Sequence, residues 1–154
     1  DQTRQGNGGP KSVHKHTKSY FVNSLPLTWE GIGYPFTQKQ IPEKLREYTD
    51  NITKTLETKY NGKIGRTLYI KLSSKSSIPV HQDYGYYLRN SHRFHVPIIT
   101  NDKVLFHLDG ETINMKAGSC YEINNARNHA VMNNSDFERI HLVFDIIPPE
   151  SFIS

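Results

Sequence analysis

The sequence predicts a mainly β fold, an antiparallel jelly roll covered by one α-helix near its N-terminal end. Three observations carry this expectation. From Lys63 onward, apolar residues recur in about eight short runs separated by Gly, Pro, Asn, Asp or Ser. One separator, Asp109-Gly110, lies between Val104–Leu108 and Glu111–Met115 and is a strong signal for a tight hairpin. Ahead of these runs lies a single stretch of helical period, from Pro42 to Tyr60.

Taken in order, residues 1–19 are polar and contain Gly6, Gly8, Gly9 and Pro10, which predicts a flexible arm. His14 and His16 in that arm read as solvated. Residues 20–154 are expected to form a single domain, since 154 residues with 35% hydrophobic content suit one core. Tyr20–Val22 suggests a short strand. Leu25–Phe36, with Pro26, Trp29, Gly31, Gly33 and Pro35, suggests an irregular loop. In the helix, Pro42 suits the first turn and Glu43 the positive end of the dipole. Leu45, Tyr48, Ile52, Leu56 and Tyr60 form one apolar stripe, and Asn61-Gly62 provides the stop. Strands are then expected at Arg66–Leu72, at His92–Thr100 with a bend at Pro97, on both sides of Asp109-Gly110, and at Ser119–Ile123, His129–Asn133 and Arg139–Ile147. Ser73–Ser77 reads as a turn.

Composition excludes several classes of function. Cys120 is the only cysteine, so no intramolecular disulfide and no thiolate zinc site can form, and a reducing, cytoplasmic setting is expected. No window reaches the roughly 20 apolar residues of a membrane span. The formal charge of +4 is spread without a basic run, so no nucleic-acid partner is expected.

The chemistry concentrates in His81-Gln82-Asp83, Arg93, His95, the Asn124-Asn125 pair, His129 and Arg139. A His-X-Asp triplet is weak evidence alone, and the chain has a second, His107-Leu108-Asp109, whose Asp belongs to the hairpin. In an extended segment His81 and Asp83 point the same way. With His129 they make the three-ligand face of a non-haem Fe(II) oxygenase, leaving positions open for a chelating cosubstrate and O2. On the last strand the odd positions Arg139, His141, Val143 and Asp145 share a face. An arginine turned inward there needs an anion, which a dicarboxylate cosubstrate would supply. The alternative is a salt bridge to Asp145 or Glu138. Arg93 and His95 also share one face and are placed to touch the same ligand.

The blocks PVHQD at 79–83, RFHVPIITND at 93–102, YEINN at 121–125 and RIHLVFD at 139–145 resemble the aspartyl/asparaginyl β-hydroxylase-like family of Fe(II)/2-oxoglutarate oxygenases, in the family's order and across roughly Arg66 to Pro148. The resemblance implies a double-stranded β-helix, also called cupin-like. It implies iron ligands at His81 and His129. It implies 2-oxoglutarate held by Arg139 at the distal carboxylate and by Arg93 with His95. A residue from the preceding strand, Tyr69 or Lys71, would assist. The implied activity is hydroxylation of an unactivated C–H in an amino acid or peptidyl side chain, with 2-oxoglutarate decarboxylated to succinate and CO2. The family's best-known peptide hydroxylases carry glycine at the position of Asp83. Retaining the carboxylate, as its free-amino-acid hydroxylases do, strengthens the metal site and argues against halogenation.

Tyr84, Tyr86, Tyr87 and Arg89 follow the triplet and would form a substrate-selecting loop at the mouth, or simply pack that loop. Two rivals share these residues: a cupin-type metalloenzyme that does not use 2-oxoglutarate, and a non-catalytic jelly-roll binding or assembly module.

Overall fold

The alternating second half of the chain folds as one long antiparallel ribbon wound on itself. The computed structural model describes residues 3–4, 13–24, 37–38 and 40–151. The expected loop at 25–36 with Trp29, and most of the expected arm, lie outside the described residues. In chain order the elements are β1 (Thr3–Arg4), β2 (Thr17–Ser24), β3 (Thr37–Gln38), α1 (Glu43–Lys59), β4 (Lys63–Leu72), β5 (Ser76–His81), α2 (Tyr86–Arg89), β6 (His92–Ile99), β7 (Val104–Leu108), β8 (Glu111–Ile113), β9 (Tyr121–Ile123), β10 (His129–Asn133) and β11 (Arg139–Ile147). A 3-10 turn follows at Pro149–Ser151.

The ribbon starts at the β7–β8 hairpin, where Asp109 and Gly110 take φ of 49° and 91°, the left-handed values a tight hairpin turn needs. Outward from it, β6 pairs with β9, β5 with β10 and β4 with β11. Winding adds the β6–β11 and β7–β10 pairs. The result is one sheet of order β1-β2-β4-β11-β6-β9, with β3 on β2, facing another of order β5-β10-β7-β8. This is the connectivity of a double-stranded β-helix.

Apolar residues pack in two places. Between the sheets, Leu72, Ile78, Val104, Phe106, Met115, Ile123 and Val131 form one cluster. On the outer face of the larger sheet, Val22, Tyr69, Phe94, Val96, Leu142, Phe144 and Ile146 form the other, against which Leu45, Ile52, Leu56 and Tyr60 of α1 and its C-cap pack. Each fully buried side chain of this size contributes ~1.5–3 kcal/mol. Tyr48, expected on the apolar stripe of α1, is exposed, and the threonines Thr49 and Thr53 are buried instead. The Thr49 hydroxyl reaches Tyr69 Oη at 2.9 Å, so a polar pair sits under the helix.

Three further expectations need correction. The predicted arm is too long, because Thr17–Ser24 is a strand paired to β4 with Thr17 opposite Leu72. Its small polar and aromatic side chains fit a sheet face that borders a cavity, which is why it lacked an apolar signature. Part of the predicted turn, from Ser76, is already β5. A second, four-residue helix, α2, lies where only a loop was expected. The bend expected at Pro97 appears as a register shift beside it, where Ile140 and His141 of β11 face Ile99 and Pro97 and Ile98 of β6 is passed over. Among the described residues, no helix is long and apolar enough to cross a membrane.

Candidate metal centre and anion pocket

Ribbon pairing brings His81, the last residue of β5, directly opposite His129, the first of β10. Their ring centroids lie 4.2 Å apart. Asp83 follows two residues later, and the donor atoms of His81, Asp83 and His129 all lie within 4.8 Å of one another. Donors ~2.1 Å from a shared ion stand ~3.0 Å apart when they occupy one face of it, so the three must close in by up to ~1.8 Å to share one metal. His81 Nε2 and Asp83 Oδ1 stand 3.8 Å apart.

The same device orients both imidazoles. His81 Nδ1 meets the Pro79 carbonyl and His129 Nδ1 the Arg127 carbonyl, each at 2.8 Å and each two residues back. Donating Nδ1–H there leaves both Nε2 lone pairs for the site. Phe106 stacks on His129 with an interplanar angle of 9°. Asp83 is held comparably. Its Oδ2 accepts from Arg93 Nη1 at 2.8 Å and from Asn125 Nδ2 at 3.2 Å, and its amide donates to the Asn125 carbonyl. Oδ1 therefore remains free to bind metal. Burial would raise the Asp83 carboxyl, but Arg93, with His129, Asn125 and His81, outweighs it and holds the group below its ordinary range. Burial likewise lowers His129, which favours the neutral, ligating imidazole. Two nitrogens and one carboxylate oxygen, with the remaining directions facing a cavity, fit Fe(II) as a donor set.

Arg93 is engaged by protein carboxylates. Its Nε and Nη2 donate to Asp145 Oδ1 and Oδ2 at 2.8 and 3.0 Å, while Nη1 serves Asp83. Asp145 lies opposite Arg93 in the β6–β11 register, which explains the choice. Tyr87 also donates to Asp145 Oδ2 at 2.9 Å and accepts from the Arg66 amide at 2.8 Å. Tyr87 is thus a buried strut and not a substrate-selecting residue, and a Cβ on Gly65 would collide with its hydroxyl. Tyr84 is 69% exposed, and Arg89 is also exposed.

Arg139 is placed as the alternation required, on the cavity face of β11 and only 2% exposed. Neither alternative salt bridge forms, because Glu138 pairs with Lys71 at 2.8 Å and Asp145 with Arg93. Among the described residues, the Arg139 guanidinium has no hydrogen bond, and its Nε is buried without a partner. Burial alone pushes it down to about 9. His95 and His141 meet at 3.2 Å between their Nδ1 atoms. Burial, and then the nearby Arg139 charge, push both rings well below the usual histidine range, so they stay neutral.

One cavity of about 320 Å³ contains His81, Asp83, His129, Arg93, His95 and Arg139 in its lining. Tyr69 and Lys71 lie outside it, correcting the expectation that one of them assists. On β4 the residues facing β11's odd positions are even-numbered, and Arg66, Leu68 and Ile70 line the cavity while Tyr69 packs beneath α1. His14, expected in solvent, lines the mouth, its ring 5.3 Å from His81. The second triplet is structural as expected, with His107 Nδ1 meeting Thr112 Oγ1 at 2.7 Å. Arg66 escaped the sequence reading. Asn125 was singled out there without its role of holding Asp83, and Asp145 was weighed only as a partner of Arg139.

A family model described as aspartyl/asparaginyl beta-hydroxylase matches residues 4–149. Among solved structures, a predicted oxalate decarboxylase from Thermotoga maritima is 14% identical, with 85% of this chain and 80% of that chain covered at a TM-score of 0.48. The plu4264 protein from Photorhabdus luminescens is also 14% identical, with 88% and 78% covered and a TM-score of 0.48. A Cupin 2 conserved barrel domain protein from Salinispora arenicola is 12% identical, with 52% and 60% covered and a TM-score of 0.40. No curated protein matches the chain.

Proposed function

The chain belongs to the aspartyl/asparaginyl beta-hydroxylase family, and from that premise we propose that it is an Fe(II)- and 2-oxoglutarate-dependent hydroxylase acting on an amino acid or a peptidyl side chain. The observation that carries this reading is Arg139, a buried guanidinium that among the described residues has no counter-charge, in the cavity that also contains an open His-Asp-His cluster. Leaving such a charge unmet costs several kcal/mol, and the bidentate fork fits a carboxylate.

His81, Asp83 and His129 would hold the Fe(II), which with 2-oxoglutarate and O2 supplies the oxidising power to convert C–H to C–OH, releasing succinate and CO2. Arg139 binds the distal carboxylate of the cosubstrate and fixes its reach into the cavity. His95, kept neutral, offers a polar ring without adding a second charge. Arg93 and Asn125 hold Asp83 so that only one of its oxygens faces the metal. Leu68, Ile70, Val131 and Val143 line the cavity with apolar surface and limit water around the reacting atoms.

The test is anaerobic titration of Fe(II)-loaded protein with 2-oxoglutarate, following the visible metal-to-ligand charge-transfer band in the wild type and in Arg139→Ala. A band that collapses in the variant supports the reading. Stoichiometric iron without a band points to cupin-type chemistry that does not use 2-oxoglutarate. Absence of iron binding favours a non-catalytic binding module.

A further inference from the structure

Arg66 lines the same cavity as the cluster and Arg139, yet among the described residues its guanidinium makes no hydrogen bond. Its Nε is buried without a partner. Its one ion-pair contact, to Asp145 Oδ2, is 3.8 Å long, and both Asp145 oxygens are already taken by Arg93 and Tyr87. Burial and the like charge of Arg93 both act to expel its proton, an environment that an incoming anion would relieve.

Arg66 and Arg139 enter the cavity from well-separated points of the sheet. Arg139 stands opposite Leu72 of β4, while Arg66 is six residues back along that strand. The two backbones are therefore ~20 Å apart along the sheet. Charge points the same way. Arg66 and Arg93 balance Asp83 and Asp145, leaving Arg139 in excess. A divalent metal and a dianionic cosubstrate cancel each other, so the loaded cavity still carries one positive charge.

We propose that Arg66 anchors a carboxylate of the primary substrate, making the cavity a site for two separate carboxylate ligands. This rests on the cosubstrate reading above. The substrate class is then a small carboxylic acid, such as an amino acid, or a peptide presenting an acidic group. The planar fork of Arg66, with no protein partner hydrogen-bonded to it, would grip that carboxylate by charge-assisted hydrogen bonds.

The test is calorimetry on the full chain with Zn(II) in place of Fe(II) and 2-oxoglutarate at saturation. The probes are the common L-amino acids and their N-acetyl derivatives, each as free acid and as carboxamide. At least one acid should bind about tenfold or more tighter than its amide. Arg66→Gln should bring that acid to the level of its amide while leaving the 2-oxoglutarate affinity within about twofold. Arg66→Lys, which keeps a charge against Asp145 but lacks the fork, should fall between, and it guards against a folding defect in the glutamine variant. Equal binding of acids and amides, no binding of any acid, or a loss of 2-oxoglutarate affinity in Arg66→Gln each overturns the proposal. Failure of the wild type to bind 2-oxoglutarate is a separate result that overturns the cosubstrate reading, and this proposal with it.

Discussion

His81 and His129 are cross-strand partners with ring centroids 4.2 Å apart, each Nδ1 held by a carbonyl two residues earlier in the chain. An ion on their Nε2 atoms ties β5 to β10. Zn(II) or Fe(II) at about 100 times its dissociation constant should therefore stabilise the fold by about 2.7 kcal/mol. Thermal melts with and without metal check this, and His129→Ala should abolish the increment. An undiminished increment in the variant would place the ion elsewhere.

Arg139→Met should stabilise the ligand-free protein by ~1–4 kcal/mol while eliminating 2-oxoglutarate binding, because it replaces an uncompensated buried charge with apolar volume. The pH dependence follows from the sign of the shift. Burial lowers the folded pKa of Arg139 to about 9, below the ordinary arginine range, so the unfolded state binds the proton more tightly. The penalty is present below pH 9 and fades as pH rises through that value. Denaturant melts of the two proteins should converge toward alkaline pH, and a constant gap would show that the guanidinium charge is not responsible.

Arg93→Met should weaken metal binding by ~10–100-fold through the loss of Asp83 orientation. In the wild type Asp83 is held below its ordinary pKa, so its carboxylate survives until pH falls through that lowered value. Without Arg93, burial raises the group, and metal should be released at a higher pH than in the wild type. Metal retention measured across an acid series reads this directly.

Tyr69→Phe should cost about 1 kcal/mol through the lost Thr49 hydrogen bond yet leave 2-oxoglutarate affinity unchanged. A loss of affinity would contradict the parity of β4, which turns Tyr69 toward α1 and Arg66 toward the cavity.

Much of the fold was legible because hydrophobic period and turn chemistry agree over β4 to β11. His129–Asn133 and Arg139–Ile147 were bounded to the residue. The approach of His81, Asp83 and His129 was legible because they stand at or just past the ends of such strands. The pairing of Arg93 was not legible because strand parity gives the face of a side chain and not its partner. That its partner is Asp145 follows only from the register of β6 against β11. Arg66 was missed for a related reason. With the parity of β4 unassigned, Tyr69 and Lys71 looked as eligible as their even-numbered neighbours. His14 and β2 were missed because a polar strand at a cavity's edge has the composition of a loop.

The winding of the ribbon also sets an order of events in folding. Its outermost pair joins Lys63 to Ile147, closing a loop of about 80 residues, whereas Asp109-Gly110 closes one of only a few. Zippering outward from that hairpin leaves β4 and β11 to meet last, so Arg139 stays hydrated until the final closure. An anion bound to Arg139 then holds the native state without helping to build the nucleus. It should slow unfolding and leave the refolding rate almost unchanged, so the occupied cavity acts as a latch on a door that has already shut.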